Sequence, residues 1–332
     1  MNRNLLISSI VTAAVLAGIA VFAWVSLFGA PERQAELVQF TIAVGKDDSS
    51  EIAAQLKEGG FIKSERGFRT ALSGFIGAFS TCIDCIAPGA YKLSKAMNAW
   101  EISRVLKGEP YLKWVTIPEG LRKEEIADLF AQALLWSNEQ KERWISTDTA
   151  MDFDHTEGVY FPDTYLIPVD EPTADVAARL RAKFEEKFTP YAKEAATQNI
   201  KWTTAMKLAS IVQREAADKD DMPLIAGILW NRLLADMRLE VDATLQYIKG
   251  SKENGWWPKI SSADKQINSP YNTYKNTGLP PHPIANPGLD AIDAVLFPEE
   301  TDCFFYLHDN TGETHCSDTY EGHLQNIERY LR

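Results

Sequence analysis

A single carboxylate on the apolar face of a helix is the first chemistry this chain offers. In Leu208-Ala209-Ser210-Ile211-Val212-Gln213-Arg214-Glu215, the residues Leu208, Ile211, Val212 and Glu215 fall at i, i+3, i+4 and i+7, one helical face. An unpaired carboxylate buried on such a stripe is costly. Burial also raises a carboxyl pKa by desolvation. The result is an acid that stays protonated near neutrality and can protonate a leaving group. The competing readings are a helix in another register and a Glu neutralised by a nearby Arg. Asn231, Thr244, Tyr271 and Asn272 follow it in sequence as candidates to hold a substrate or to orient Glu215.

The elements that must position Glu215 are legible as periodicity. A helix is expected over residues 203–217. A second, over 224–234, brings Ile225, Ile228, Leu229 and Leu233 to one side. The run 278–288 is too rich in Pro and Gly for a regular element and reads as a preorganised binding wall. A helix over 289–296 and a hairpin around Asp309 to Gly312 close the domain. Upstream, Val176, Leu180, Phe184 and Phe188 recur at i+4 and read as a packing helix with no chemistry. Glu157-Gly158-Val159-Tyr160-Phe161-Pro162-Asp163-Thr164-Tyr165 is either an aromatic sugar site or a buried strand ending in a turn.

Nearer the N-terminus a pattern of Glu, Ile, a small residue and a later apolar residue occurs three times, at 51–56, 101–106 and 125–130. Each copy follows a short strand-like run, and Gly45 and Gly120 supply turns in the first and third. The pattern reads as small strand–helix units packed together, the second copy completing the first unit.

Residues 5–30 contain no charged side chain or His, longer than the roughly 20 residues a helix needs to cross a bilayer. A signal peptide has a shorter apolar core, and no small-residue cleavage site follows, so the run reads as an uncleaved anchor. Arg3 precedes it and Glu32, Arg33 and Glu36 follow, which favours a cytoplasmic N-terminus at 1–4 and an extracytoplasmic body. The 332 residues suffice for two or three units, and a net charge of −12 excludes a general nucleic-acid binder. In an oxidising compartment, Cys82 with Cys85 and Cys303 with Cys316 read as local disulfides. A zinc site would need all four cysteines to converge, so no metal or other cofactor is expected.

Several segments together resemble one family. They are Thr116-Ile117-Pro118-Glu119-Gly120, Glu157-Gly158 with Pro162-Asp163-Thr164, Ala209-Ser210-Ile211-Val212 with Glu215, Asn231-Arg232-Leu233, Asp242-Ala243-Thr244, and the run from Ser269 to Asp290. In this order, behind an apolar N-terminal segment, they resemble the endolytic murein transglycosylases, the MltG or YceG-like family, over about residues 38–332. The resemblance implies an α+β protein: a transmembrane anchor (5–30), a LysM-like αβ module (38–113) and an α+β transglycosylase catalytic domain (114–332). It maps the family's catalytic Glu onto Glu215. Gln213 stands where the family often has Glu, and an amide cannot act as the acid. Glu240 stands where Gln is common. The segment around His315 is one residue out of register with the family's C-terminal motif, so His315 carries no assigned role.

The implied reaction cuts the β-1,4 bond between N-acetylmuramic acid and N-acetylglucosamine without water and leaves a 1,6-anhydro end. The implied partners are peptidoglycan strands and, in the membrane, the synthases that make them. Two other classes remain open. One is a hydrolase pairing Glu215 with Glu157, Glu240 or Asp242, whose carboxyls would stand about 5–5.5 Å apart if retaining and 6.5–9.5 Å if inverting. The other is a membrane-anchored, non-catalytic peptidoglycan-binding scaffold.

Overall fold

The computed structural model describes residues 3–74, 86–150 and 157–331. Cys82 and Cys85 lie outside the described residues. The chain is mixed α/β and divides into two compact units, residues 1–114 with 165–169, and residues 115–164 with 170–332.

The first unit opens with α1 (Arg3–Phe28), whose segment Ile7–Phe28 is long and apolar enough to cross a membrane. After it come β1 (Val38–Ile42), α2 (Ser49–Glu58), α3 (Glu65–Ser73), β2 (Gly89–Leu93), α4 (Ala99–Leu106) and β3 (Leu112–Thr116). The strands share one antiparallel sheet in the order β1-β2-β3-β4, with Phe40 opposite Tyr91 in the first pair. β4 (Thr164–Pro168) is a return strand, which a division drawn at residues 113 and 114 does not include. Ile42, Ile52, Leu56, Phe68, Leu72, Leu93, Ile102 and Leu106 form the core beneath the sheet. Each such fully buried side chain contributes roughly 1.5–3 kcal/mol relative to an exposed one.

The thrice-repeated Glu-Ile pattern has a local cause. Glu51, Glu101 and Glu125 are each the third residue of a helix, α2, α4 and α5 (Lys123–Leu134). Glu101 and Glu125 accept hydrogen bonds from the backbone N–H of Asn98 (2.7 Å) and Arg122 (3.0 Å), closing the helix start as capping boxes do. The Ile that follows points into the core. The three preceding strands lie in one sheet, so the copies mark helix starts in a shared architecture, not separate packed units.

The second unit is mostly helical. It contains α5, α6 (Asn138–Arg143) with a π-turn (Trp144–Asp148), α7 (Thr173–Thr197), α8 (Trp202–Glu215), α9 (Met222–Leu234), α10 (Asp242–Lys249) and α11 (Leu289–Leu296). The hairpin β5 (Phe305–His308) and β6 (Thr314–Ser317) follows, then α12 (Tyr320–Tyr330). α7 is longer than its apolar stripe implied and contains Pro190; Val176, Leu180, Phe184 and Phe188 are buried as its spacing required. α12 was not expected from sequence.

The aromatic cluster near Glu157 is core. Val159, Tyr160, Phe161 and Tyr165 are all buried, and Tyr160 packs on Trp144 with centroids 5.5 Å apart. In the Pro- and Gly-rich run, Pro283 through Gly288 are buried, while Gly278, Leu279, Pro281 and His282 stay partly exposed. Its irregular backbone is satisfied by side chains. Ser210 Oγ accepts from Ile284 N (3.0 Å), Gln213 Oε1 accepts from Gly288 N (2.9 Å), and Asn286 Nδ2 donates to Leu121 O (3.0 Å). The segment 283–288 is thus a brace behind α8.

Candidate active site

Leu208, Ile211 and Val212 are fully buried, so the face that carries Glu215 is the packed face of α8. Glu215 is the last residue of that helix, where the backbone turns extended at Ala216. Its side chain remains partly accessible while its carboxyl is enclosed by protein. An acid that must stay protonated yet reach a substrate needs this combination.

Two donors fix the carboxyl. Tyr306 OH donates to Oε2 (2.7 Å) and Ala243 N donates to Oε1 (3.1 Å). Burial raises the Glu215 pKa, and the negative charge of Asp242 adds to the rise. The bonds from Tyr306 and Ala243 and the charge of His308 oppose it. The C-terminal end of a helix also disfavours a negative charge. Each carboxyl oxygen keeps a lone pair outside these two bonds, so a proton can reside there without breaking them. Among the described residues no Lys or Arg forms an ion pair with Glu215, which removes the reading of a Glu neutralised by Arg.

Glu215 lines a cavity of about 630 Å³ shared with Arg232, Glu240, Asp242, Lys265 and Tyr274, among others. Asp242 accepts from Tyr274 OH (2.8 Å), and Arg232 Nη2 reaches Glu240 Oε2 (3.1 Å). Burial and Asp242 push the Tyr274 pKa up, so Tyr274 remains a neutral donor. Burial, then Glu215, does the same to Tyr306.

The hairpin that carries Tyr306 is held at both ends. Cys303 and Cys316 form a disulfide with Cα atoms 5.9 Å apart, and Cys316 is the cross-strand partner of Tyr306. Two residues on, His308 pairs with Asp221 (2.9 Å), which also accepts from Thr314 Oγ1 (2.6 Å). Tyr306 and His308 share a strand face, so anchoring one helps to aim the other.

The four polar candidates do not line this cavity. Asn231 Nδ2 donates to Thr301 O (2.7 Å) and Cys303 O (3.1 Å), tying down the segment before the hairpin. Thr244 is fully buried and bonds Val241 O (2.9 Å) and Thr273 Oγ1 (2.9 Å). Asn272, also fully buried, donates to Ile267 O (2.7 Å) and accepts from Tyr274 N (2.9 Å), so it shapes the loop that presents Tyr274. Tyr271 packs beside Tyr247, centroids 5.0 Å apart. Buried backbone carbonyls need donors, and these side chains supply them.

Glu157 is a second unusual carboxyl outside the cavity. It is fully buried, accepts from Lys123 N (3.0 Å) and Asn286 Nδ2 (2.6 Å), and has its pKa raised by burial. Enclosed in the core, it is unsuited to be a hydrolase's second carboxylate. His315 belongs to the hairpin, paired with Asp309 (3.0 Å) and stacked on Tyr330. Tyr306 was missed because Phe304-Phe305-Tyr306-Leu307-His308 reads as an ordinary half-buried strand; the pairing with Glu215 spans 91 residues.

Comparison with known proteins agrees with the motif order. An endolytic murein transglycosylase of Bacillus subtilis (strain 168) is 30% identical over 311 residues, 85% of this chain and 82% of that protein. An endolytic murein transglycosylase of Streptococcus pneumoniae serotype 2 is 29% identical over 329 residues, 87% of this chain; the chain spans only 58% of that protein's length. The crystal structure of a yceG-like protein from Listeria monocytogenes superposes with a TM-score of 0.57 at 26% identity, covering 88% of this chain and 99% of that one. With residues 40–329 matching the profile of the YceG-like family, the chain belongs to that family.

Proposed function

We propose that this protein is a lytic transglycosylase that cuts peptidoglycan strands internally, with Glu215 as acid and then base. The observation that carries the proposal is the raised-pKa carboxyl of Glu215, fixed by Tyr306 and Ala243 at an open cavity in a chain of this family. Protonated Glu215 donates its proton to the glycosidic oxygen as the bond from C1 of N-acetylmuramic acid to N-acetylglucosamine breaks. Positive charge develops at C1, where the neighbouring acetamido group can assist. The Glu215 carboxylate then takes the proton of the same sugar's C6 hydroxyl, whose oxygen closes on C1. Glu215 is restored, no water is consumed, and the product ends in 1,6-anhydro-N-acetylmuramic acid. Positioned proton transfer of this kind contributes about 10²–10⁴-fold.

Glu215→Gln keeps the side chain's size but removes the transferable proton. It should fold and bind glycan while losing nearly all cleavage, and wild-type products should be lighter by one water than hydrolysed ends. Full activity in the variant would show the wrong residue. A second reading, a two-carboxylate hydrolase, draws support from Asp242, which lines the same cavity and raises the Glu215 pKa. Labelled oxygen from solvent appearing in the reducing ends would select it.

The rest of the chain fits a membrane-bound cutter of new or existing strands. α1 would anchor it with the N-terminus inside and the body outside, near the synthases. The two-helix insertion between paired strands β1 and β2 supports a LysM-like, glycan-binding role for residues 38–113 ahead of the catalytic domain at 114–332.

A further inference from the structure

The cavity at Glu215 has a wall that resembles an unfinished core. α12 has no buried residue, and Tyr320, His323 and Ile327, at i, i+3 and i+7, all line the cavity. That is the stripe by which a helix normally packs on its domain. Tyr320 is 61% exposed, so its ring is accessible from the cavity. Beside it stand Phe305 of β5 and His323, with centroids 5.7 Å (Phe305 to Tyr320), 5.6 Å (Phe305 to His323) and 6.2 Å (Tyr320 to His323).

We infer that the rings of Phe305, Tyr320 and His323 form a sugar-stacking subsite next to Glu215, which takes the apolar face of one pyranose of the glycan strand. This rests on the reading of Glu215 as the acting acid. The chemistry of the cavity favours this occupant. A pyranose presents C–H bonds on its face and hydroxyls around its edge. The ring cluster matches the face, and Glu240, Asp242 and Lys265 in the same cavity can bond the edge. Arg232 lies 5.2 Å from the Phe305 ring centre and is itself held by Leu239 O (2.5 Å) and Glu240, which steadies that ring. Burial and the nearby Arg232 lower the His323 pKa, so its ring stays uncharged and suited to stacking. The Nδ1 of His323 is buried and has no hydrogen-bond partner among the described residues, so this wall leaves one polar group unsatisfied.

The test measures binding with the chemistry switched off. In the full chain carrying Glu215→Gln, the dissociation constant for a peptide-free peptidoglycan tetrasaccharide is measured by calorimetry, alone and with a second substitution. Tyr320→Ala should weaken binding roughly five- to tenfold, the scale of one lost ring contact. Tyr320→Phe should stay within about twofold of the parent, since the ring is kept. Gln325→Ala, on the outer face of α12, should bind as the parent does, and circular dichroism should show all variants folded. Unchanged affinity in Tyr320→Ala, with wild type still cleaving, would overturn the subsite and leave the function standing. Equal loss in Tyr320→Phe and Tyr320→Ala would overturn stacking in favour of a hydroxyl contact. A Glu215→Gln parent that binds no glycan, together with a wild type that cuts none, would overturn both readings.

Discussion

At the scale of single residues, Glu215 is shaped by opposing influences that can be separated. Burial and Asp242 raise its pKa, while the hydrogen bond from Tyr306 stabilises the carboxylate and lowers it. A raised folded pKa favours folding fully below the unfolded carboxyl value and loses that contribution as pH rises through the folded value, so this acid costs stability when it ionises. Tyr306→Phe removes the lowering influence, so the Glu215 pKa must rise further. The acid then stays protonated to higher pH, and the alkaline limb of the kcat/KM profile should move upward. Activity at neutral pH should fall about 10- to 100-fold, the worth of a hydrogen bond to a charged group. A pH–rate series on purified protein reads both effects. An alkaline limb that stays in place would remove Tyr306 from the tuning of Glu215.

At the scale of elements, the hairpin β5–β6 delivers Tyr306 across the sequence to the end of α8. Its geometry depends on the bridge between Cys303 and Cys316, 13 residues apart, and on the Asp221 contacts of His308 and Thr314. Closing a loop of this length with a disulfide is worth about 3 kcal/mol. Replacing both cysteines by Ser should lower the melting temperature and speed amide exchange in Phe305–His308 and Thr314–Ser317, with α8 still protected. Exchange measured by mass spectrometry decides this. Unchanged protection in the hairpin would mean that packing alone holds it. α8 itself is braced elsewhere, by the buried run at 283–288 bonded to Ser210 and Gln213, which is why the hairpin can loosen first.

At the scale of the whole molecule, the chain forms two compact units, the first of which begins with an apolar helix. The end of α1 is fitted to the first unit. Phe28 packs with Ala71, Ala99 and Trp100, and a Cβ at Gly67 would overlap the Leu27 carbonyl. The orientation proposed above puts this body outside the cytoplasm, with Arg3 on the cytoplasmic side of the apolar run. A cysteine placed at the exposed position Gln325 should therefore react with a membrane-impermeant maleimide on intact spheroplasts. Reaction only after lysis would reverse the orientation.

The sequence by itself determined what depends on neighbours along the chain. A period of 3.6 residues is a local property, so the stripe through Leu208, Ile211, Val212 and Glu215, the packing stripe of α7, the helix at 289–296 and the terminal hairpin were all legible. The apolar segment before residue 30 and the family's motif order were legible for the same reason, since both are written in consecutive residues. Tertiary structure decided which polar side chains face solvent and which serve the interior. Asn231, Thr244 and Asn272 have the residue types of a binding site, yet they satisfy buried backbone groups, and residue type alone cannot separate those roles. The Pro- and Gly-rich run looked like a surface wall because its composition is irregular. Its second half, 283–288, is buried because Ser210 and Gln213 accept from its backbone N–H groups, while Asn286 ties it to Leu121. The neighbours that tune Glu215, namely Tyr306, Ala243 and Asp242, come from other elements. A pKa is set by what surrounds a group in space, so only the folded chain could bring them together.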